Sequence, residues 1–392
     1  MAVWFSASAV APALSLAWQL DDSGRAWLTM SVQAGFVAGA LLSALLNLSD
    51  RLPTHVLFAW SAVAASASTM AIAATAHGLG AAVALRFLTG FFLAGVYPVG
   101  MKIVATWTKE DRGLGIGLLV GALTLGSAGP QLLNAVGAWR HGVPDDWKLL
   151  LYIAAGSAAA GGLIAGLFVR EGPYRPVAPS GSVNAPPFRW SYAGSILRDR
   201  PVLLANLGYL GHMWELYAMW AWIAAYLHEA LTSAPFAFAS FTAFAAIAAG
   251  APGCVLAGKL ADRIGRTTIT IASMALSGTC ALAIGFFYHA GFAALTAVAI
   301  VWGFAIVADS AQFSACITEL SAREYVGTAL TLQTSLGFLL TMFTIRLVPW
   351  VEARIGTQWS FSVLALGPAA GIVAMAALRR LPEARKIAGG RR

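Results

Sequence analysis

Long stretches without a single charged residue constrain this chain more than any other feature. No Asp, Glu, Lys or Arg occurs from Met1 to Leu20, from Ala26 to Ser49, or from Leu52 to Leu85. The same holds from Gly113 to Trp139, Leu149 to Val169, Ala230 to Gly258, Tyr325 to Ile345 and Ile355 to Leu378. One further run, Thr267 to Ala308, is too long for one crossing and divides at His289-Ala290-Gly291. Two more apolar stretches, around 86–107 and 201–228, contain ionisable residues. A helix needs about twenty apolar residues, rising about 1.5 Å each, to cross the hydrocarbon core. The chain therefore reads as an all-α membrane protein with twelve transmembrane helices, numbered here as spans 1 to 12. No stretch remains for a soluble domain. Only 11% of the residues are charged, against about 25% in soluble domains.

The net charge of +8 suggests nucleic acid, but the placement of the charge excludes that reading. With the N-terminus inside, the inner segments hold 18 of the 25 Lys and Arg residues, and the outer loops only Arg25, Arg140, Lys148 and Arg354. That asymmetry predicts a multi-pass protein of the inner membrane with both termini in the cytoplasm. Cys254, Cys280 and Cys316 lie within spans and show no C-x-x-C spacing, so they read as packing residues. No metal-ligand cluster and no cofactor motif is present, and a monomer in the lipid bilayer is expected.

The spans fall into two halves. Asp50-Arg51 and Asp262-Arg263 follow spans 2 and 8 at an offset of 212, Arg112-Gly113 and Val326-Gly327 open spans 5 and 11 at 214, and Arg170 and Arg380 end spans 6 and 12 at 210. A duplicated unit predicts two pseudo-symmetric six-helix bundles, residues 1–170 and 201–392, joined by a cytoplasmic linker at 171–200. Such repeats mark secondary transporters, with the solute near the midplane between them. Within the linker, 172–187 reads as flexible chain. Residues 188–198 alternate apolar and basic, either as an amphipathic helix on the inner leaflet or as plain loop.

Gly258-Lys-Leu-Ala-Asp262-Arg263-Ile-Gly265-Arg266 resembles the loop signature G-x-L-A-D-R-x-G-R of the major facilitator superfamily. The first-half copy keeps only Asp50-Arg51, and Arg86-Phe-Leu-Thr-Gly90 resembles the R-x-x-x-G of span 4. The resemblance implies that the signature Asp residues bridge the halves when the inner gate is closed. Asp262 would then face the start of span 5 near Gly113, and Asp50 the start of span 11 near Gly327. The bland alternative is a solvated Asp-Arg turn. Physically, a carboxylate is stabilised at a helix N-terminus.

Ionisable groups inside a membrane are costly and default to function. Glu215 lies about 21 Å into span 7, on one stripe with His212, Met219, Trp222 and Tyr226. A carboxylate one turn from a histidine suits a proton carrier, or a pair that only locks packing. Arg86, sharing a stripe with Gly90 and Tyr97, reads as a solute or proton-coupling group or as an interhelical ion pair. Asp309 in span 10 is a gate or coupling residue, or a satisfied ion pair. Thr124, Ser127, Gln131 and Asn134 form a polar stripe on span 5, where Ser and Thr can bond their own helix.

The leading expectation is a proton-coupled secondary transporter of a small organic solute, with an organic anion favoured by Arg86. A drug/proton antiporter is the alternative; Gly117, Gly126 and Gly129-Pro130 resemble its span-5 signature, but the spacing is one residue short. Nitrate is disfavoured, because Gln33 stands in span 2 where nitrate porters carry Arg. A membrane sensor would need an output domain, and a membrane enzyme a nucleophile or metal cluster; no motif for either occurs. Span 1 has no basic inner flank, and the repeat offset places its start about a dozen residues before Met1. This predicts an in-frame extension upstream.

Overall fold

The computed structural model describes residues 1–108, 112–141, 147–174, 194, 198–232, 234–322 and 326–392, without the side chains of residues 50, 112 and 138–141. Every regular element among them is helical. Span 1 forms α1 (Ala2–Ala9) and α2 (Ala11–Trp18). The break has a simple cause. Pro12 has no N–H to give the Ser8 carbonyl, and it sits where a proline is tolerated, in the first turn of α2. Spans 2 and 3 are α3 (Asp22–Leu45) and α4 (Thr54–Thr75). Span 4 splits into α5 (Leu79–Leu93) and α6 (Tyr97–Trp107), with Pro98 in the first turn of α6.

Spans 5 and 6 are α7 (Arg112–His141) and α8 (Trp147–Phe168). Span 7 is the unbroken α9 (Arg200–Ala230). Span 8 divides at Ala249 into α10 (Phe236–Ala248) and α11 (Gly250–Ile264), and span 9 is α12 (Arg266–Ala283). Span 10 divides at Asp309 into α13 (Phe292–Ala308) and α14 (Ser310–Leu320). Span 11 is α15 (Val326–Ile355), and span 12 starts as a 3-10 helix at Thr357 and continues as α16 (Leu366–Arg380).

Ten helical segments among the described residues are long and apolar enough to cross a membrane. The other two expected spans fall short for different reasons. The structure cuts span 1 into two helices of 8 residues. α9 has 31 residues, ample length, but its polar and ionisable side chains lower its hydropathy. Most of the linker, including 188–197 except 194, lies outside the described residues; Arg198 is exposed.

Small residues set the helix crossings. A Cβ on Gly35 of α3 would lie 1.9 Å from the Phe87 carbonyl oxygen, and one on Gly90 of α5 2.0 Å from that of Val32. α10 and α13 meet the same way, at Gly303 against the Ala246 carbonyl. In lipid, where burying apolar surface gains nothing, such close backbone approach supplies the packing. The first and second parts of the chain meet chiefly where α7 lies along α10 and α11 and where α3 lies along α15. Between them an aromatic cluster fills the centre. Trp4 stands 5.2 Å from Phe36 and 5.1 Å from Phe338 between ring centroids, Phe36 and Phe338 are 4.6 Å apart, and Tyr217 is 5.0 Å from Phe338.

Candidate functional site

The ionisable groups deepest in the helices are held in three ways: Glu215 by neutral side chains, His212 and Asp309 by close approach to one another, and Arg86 by backbone carbonyls. α9 and α13 run antiparallel, so later residues of one meet earlier residues of the other. Glu215 accepts a hydrogen bond from the Trp302 indole at 2.6 Å and one from Ser277 of α12 at 2.8 Å. One turn earlier, Nδ1 of His212 stands 2.9 Å from Oδ1 of Asp309, with both side chains about 2% exposed. The expected Glu215–His212 couple is therefore divided between separate partners. The reason is the break at Asp309, which turns that carboxylate towards α9.

Arg86 is fully buried, and among the described residues no carboxylate lies within ion-pair distance of it. Its Nε donates to the Leu28 carbonyl at 3.0 Å, Nη1 to Val3 at 2.6 Å, and Nη2 to the carbonyl of Trp4. These three bonds form a backbone clamp joining α1, α3 and α5. On α7, Thr124 and Ser127 return their hydroxyls to their own helix. Asn134 donates to the Ala9 carbonyl at 3.1 Å, beside the break in span 1. Its Oδ1, and Oε1 of Gln131, are buried with no partner.

The loop after span 8 is built around a close approach. Asp262 stands against the start of α7, so that a Cβ on Gly113 would lie 2.3 Å from its Oδ2. A Cβ on Gly258 would lie 2.5 Å from the Gly113 carbonyl oxygen. Gly265 has φ +102, a conformation open to glycine. It turns the chain so that Arg266 points inward, 3.3 Å from Asp262. Arg266 also donates to Gln312 at 2.8 Å and to both oxygens of Glu319, at 3.0 and 2.8 Å. Glu319 accepts from the Ala388 amide at 3.0 Å, and Arg391 bonds the Asp262 carbonyl. Arg51 and Arg263 are exposed, and the Asp50 side chain lies outside the described residues.

Two clefts flank the aromatic cluster. Towards the Asp262 end lies a small cavity of about 30 Å³, room for a water or two. Tyr97, Tyr209, Tyr217, Ser310, Ser314 and Thr334 are among its walls, and no charged residue lines it. At the other end of the bundle is a cleft of about 450 Å³, walled by Asp22, Arg25, Glu229 and Glu352 with Trp222 and Tyr226. Trp222, expected near a solute, forms that wall and donates to the Ile345 carbonyl at 2.8 Å.

Sequence reading missed most of these wall residues. Single tyrosines and serines in apolar spans carry no signal by themselves, Arg25 reads as an outer-loop charge, and Glu229 and Glu352 stand near helix ends, where a charge is ordinary.

These features define a multi-pass α-helical membrane protein whose polar groups are turned inward. Residues 1–345 match the Major Facilitator Superfamily. The chain belongs to that superfamily, a family of membrane transporters rather than of enzymes. Comparison with curated proteins gives no significant match.

Proposed function

We propose that this protein is a secondary active transporter that moves a small organic solute by alternating access, driven by protons. In this reading twelve helices form two six-helix halves, 1–170 and 201–392, joined by the linker 171–200. Both termini lie in the cytoplasm of a cell with an inner membrane. The observation that carries the reading is the unequal state of the two ends. The Arg25 end holds a cleft of about 450 Å³, while the Asp262 end is closed where Asp262 meets Gly113. With the basic loops inside, that is an outward-facing form whose centre is shut by the aromatic cluster.

Glu215 is the proposed proton carrier, because it is the buried carboxylate with no cation in contact; its partners are an indole and a hydroxyl. Three of the five N–H donors of Arg86 are engaged by carbonyls, so an anionic solute is not placed at Arg86 in this reading. Reconstitution into proteoliposomes tests the proposal. Uptake of labelled amino acids, sugars, carboxylates and amines would be measured with and without an imposed pH gradient. Saturable uptake stimulated by the gradient is expected; for every solute, uptake no greater than in protein-free liposomes would sink it.

A further inference from the structure

The cleft at the Arg25 end has charges of both signs that the chain pairs only in part. Glu229, at the end of α9, and Glu352, near the end of α15, both reach the Thr357 hydroxyl, at 2.7 and 2.8 Å. A hydroxyl has one proton to donate, so it cannot serve two carboxylates fully. Neither carboxylate is within ion-pair distance of a basic side chain among the described residues. Aromatic walls stand beside them, Trp222, Tyr226 and Phe361, and ring faces attract cations.

Arg25 supplies the opposite sign. Its nearest carboxylate, Asp22, is 3.6 Å away and 72% exposed, too distant and too wet to hold it firmly. Its guanidinium lies over the Trp222 ring at 5.5 Å, and its Nε is buried with no partner. Arg25 also lines a chamber of about 20 Å³ beside the cleft. The two spaces share Pro12, Arg25, Trp222, Ala225 and His228 as walls. In the chamber's walls Ser8 and Thr29 meet at 2.8 Å, and the buried Asn134, 3% exposed, has an unpartnered Oδ1. Two residues with an unpartnered polar atom thus line one small space, next to a cleft whose two carboxylates make no ion pair among the described residues.

From this arrangement we infer that the cleft binds a zwitterionic solute, an amino acid or close relative. Its carboxylate pairs with Arg25 at the mouth of the chamber, and its ammonium with Glu229 and Glu352. Its apolar body lies on Trp222, Tyr226 and Phe361. A cleft of about 450 Å³ is within the usual range of small-molecule sites, about 300–1,000 Å³. Bridging the two charge sets pairs Arg25 and offsets one of the two carboxylate charges, without a net charge entering the protein. This inference rests on the transport reading and names the solute class for its outward-facing state.

The test is binding to the purified full chain in detergent, read as ligand-induced thermal stabilisation. The probes are L-phenylalanine, phenethylamine and 3-phenylpropionate, which share one apolar body and differ only in their charged groups. L-Leucine and L-methionine are run alongside. A zwitterion is expected to bind at least tenfold more tightly than the matched amine or acid. Arg25→Gln should erase the advantage over the amine, with partial return in Arg25→Lys. Glu229→Gln combined with Glu352→Gln should erase the advantage over the acid. Each variant's own melting temperature shows whether it is folded, and the wild-type ranking needs no variant. If the amine or the acid binds as tightly as the zwitterion, or none of the five probes stabilises the wild type, the inference is overturned. Zwitterion binding with no uptake above that of protein-free liposomes would instead overturn the transport reading.

Discussion

Nδ1 of His212 stands 2.9 Å from Oδ1 of Asp309, where α9 meets the break between α13 and α14. Both groups are buried, and Nε2 of the same imidazole has no partner. One turn further along α9, Glu215 is held by an indole and a hydroxyl. The interior beside α9 thus holds two polar contacts with different tolerances. One brings two ionisable groups to 2.9 Å of each other without a hydrogen bond of good geometry, and the other surrounds a carboxylate with neutral donors.

Breaking the His212–Asp309 contact from one side should cost more than removing it whole. A buried pair that loses one partner typically costs about 3–5 kcal/mol, whereas replacing both with apolar groups is often neutral. Asp309→Leu is therefore expected to destabilise strongly, and His212→Leu with Asp309→Leu to recover most of the loss. Chemical unfolding of the single and double variants in detergent measures this; additive losses would show that the two side chains do not interact.

Glu215→Gln should leave the fold intact, because an amide oxygen still accepts from Trp302 and Ser277 can accept from the amide nitrogen. Gradient-driven accumulation should disappear, while solute counterflow, which needs no net proton movement, should survive. Both are read in the same proteoliposomes. Undiminished accumulation by the variant would remove Glu215 from the coupling path.

Arg86 is predicted to matter for stability alone. Lysine keeps the charge but cannot span three carbonyls from one ammonium. Each lost hydrogen bond to a charged group is worth about 1.5–3 kcal/mol. Arg86→Lys should lower the melting temperature markedly, yet the folded fraction should bind solute with unchanged affinity. A weakened affinity at normal stability would return Arg86 to the solute site.

At the Asp262 end, the charge at the start of α7 is expected to contribute about 0.3–1 kcal/mol, up to ~2 if partly buried. Asp262→Asn should shift the population away from the closed form at that end. Gly113→Ala should act in the same direction, since its Cβ would displace the flexible Asp262 carboxylate. Gly258→Ala should be more damaging, because its Cβ would meet backbone at 2.5 Å. Labelling of single cysteines placed at each end reports the shift. Equal labelling in wild type and Asp262→Asn would make Asp262 an ordinary turn residue.

The apolar runs alone determined that the chain is helical and membrane-embedded, because a bilayer accepts few other backbones and the length of each run is set by its thickness. The Gly258–Arg266 signature likewise determined the superfamily. One helix-level feature was also legible in the sequence, the polar stripe of α9 from Glu215 and His212, whereas the break of span 1 before Pro12 was missed. Only the tertiary structure decided what each buried charge is for. Arg86 has the same sequence context whether it meets a solute, a carboxylate or three carbonyls, and the choice depends on which backbone α1 and α3 present to it. The partners Ser277, Trp302 and Asp309 lie between 62 and 97 residues away from Glu215 and His212 in the chain. Helix periodicity relates residues along one element only, so it could not bring them together. The same limit hid the cleft: Arg25, Glu229 and Glu352 end three separate crossings, and they become one site only when those ends are packed side by side.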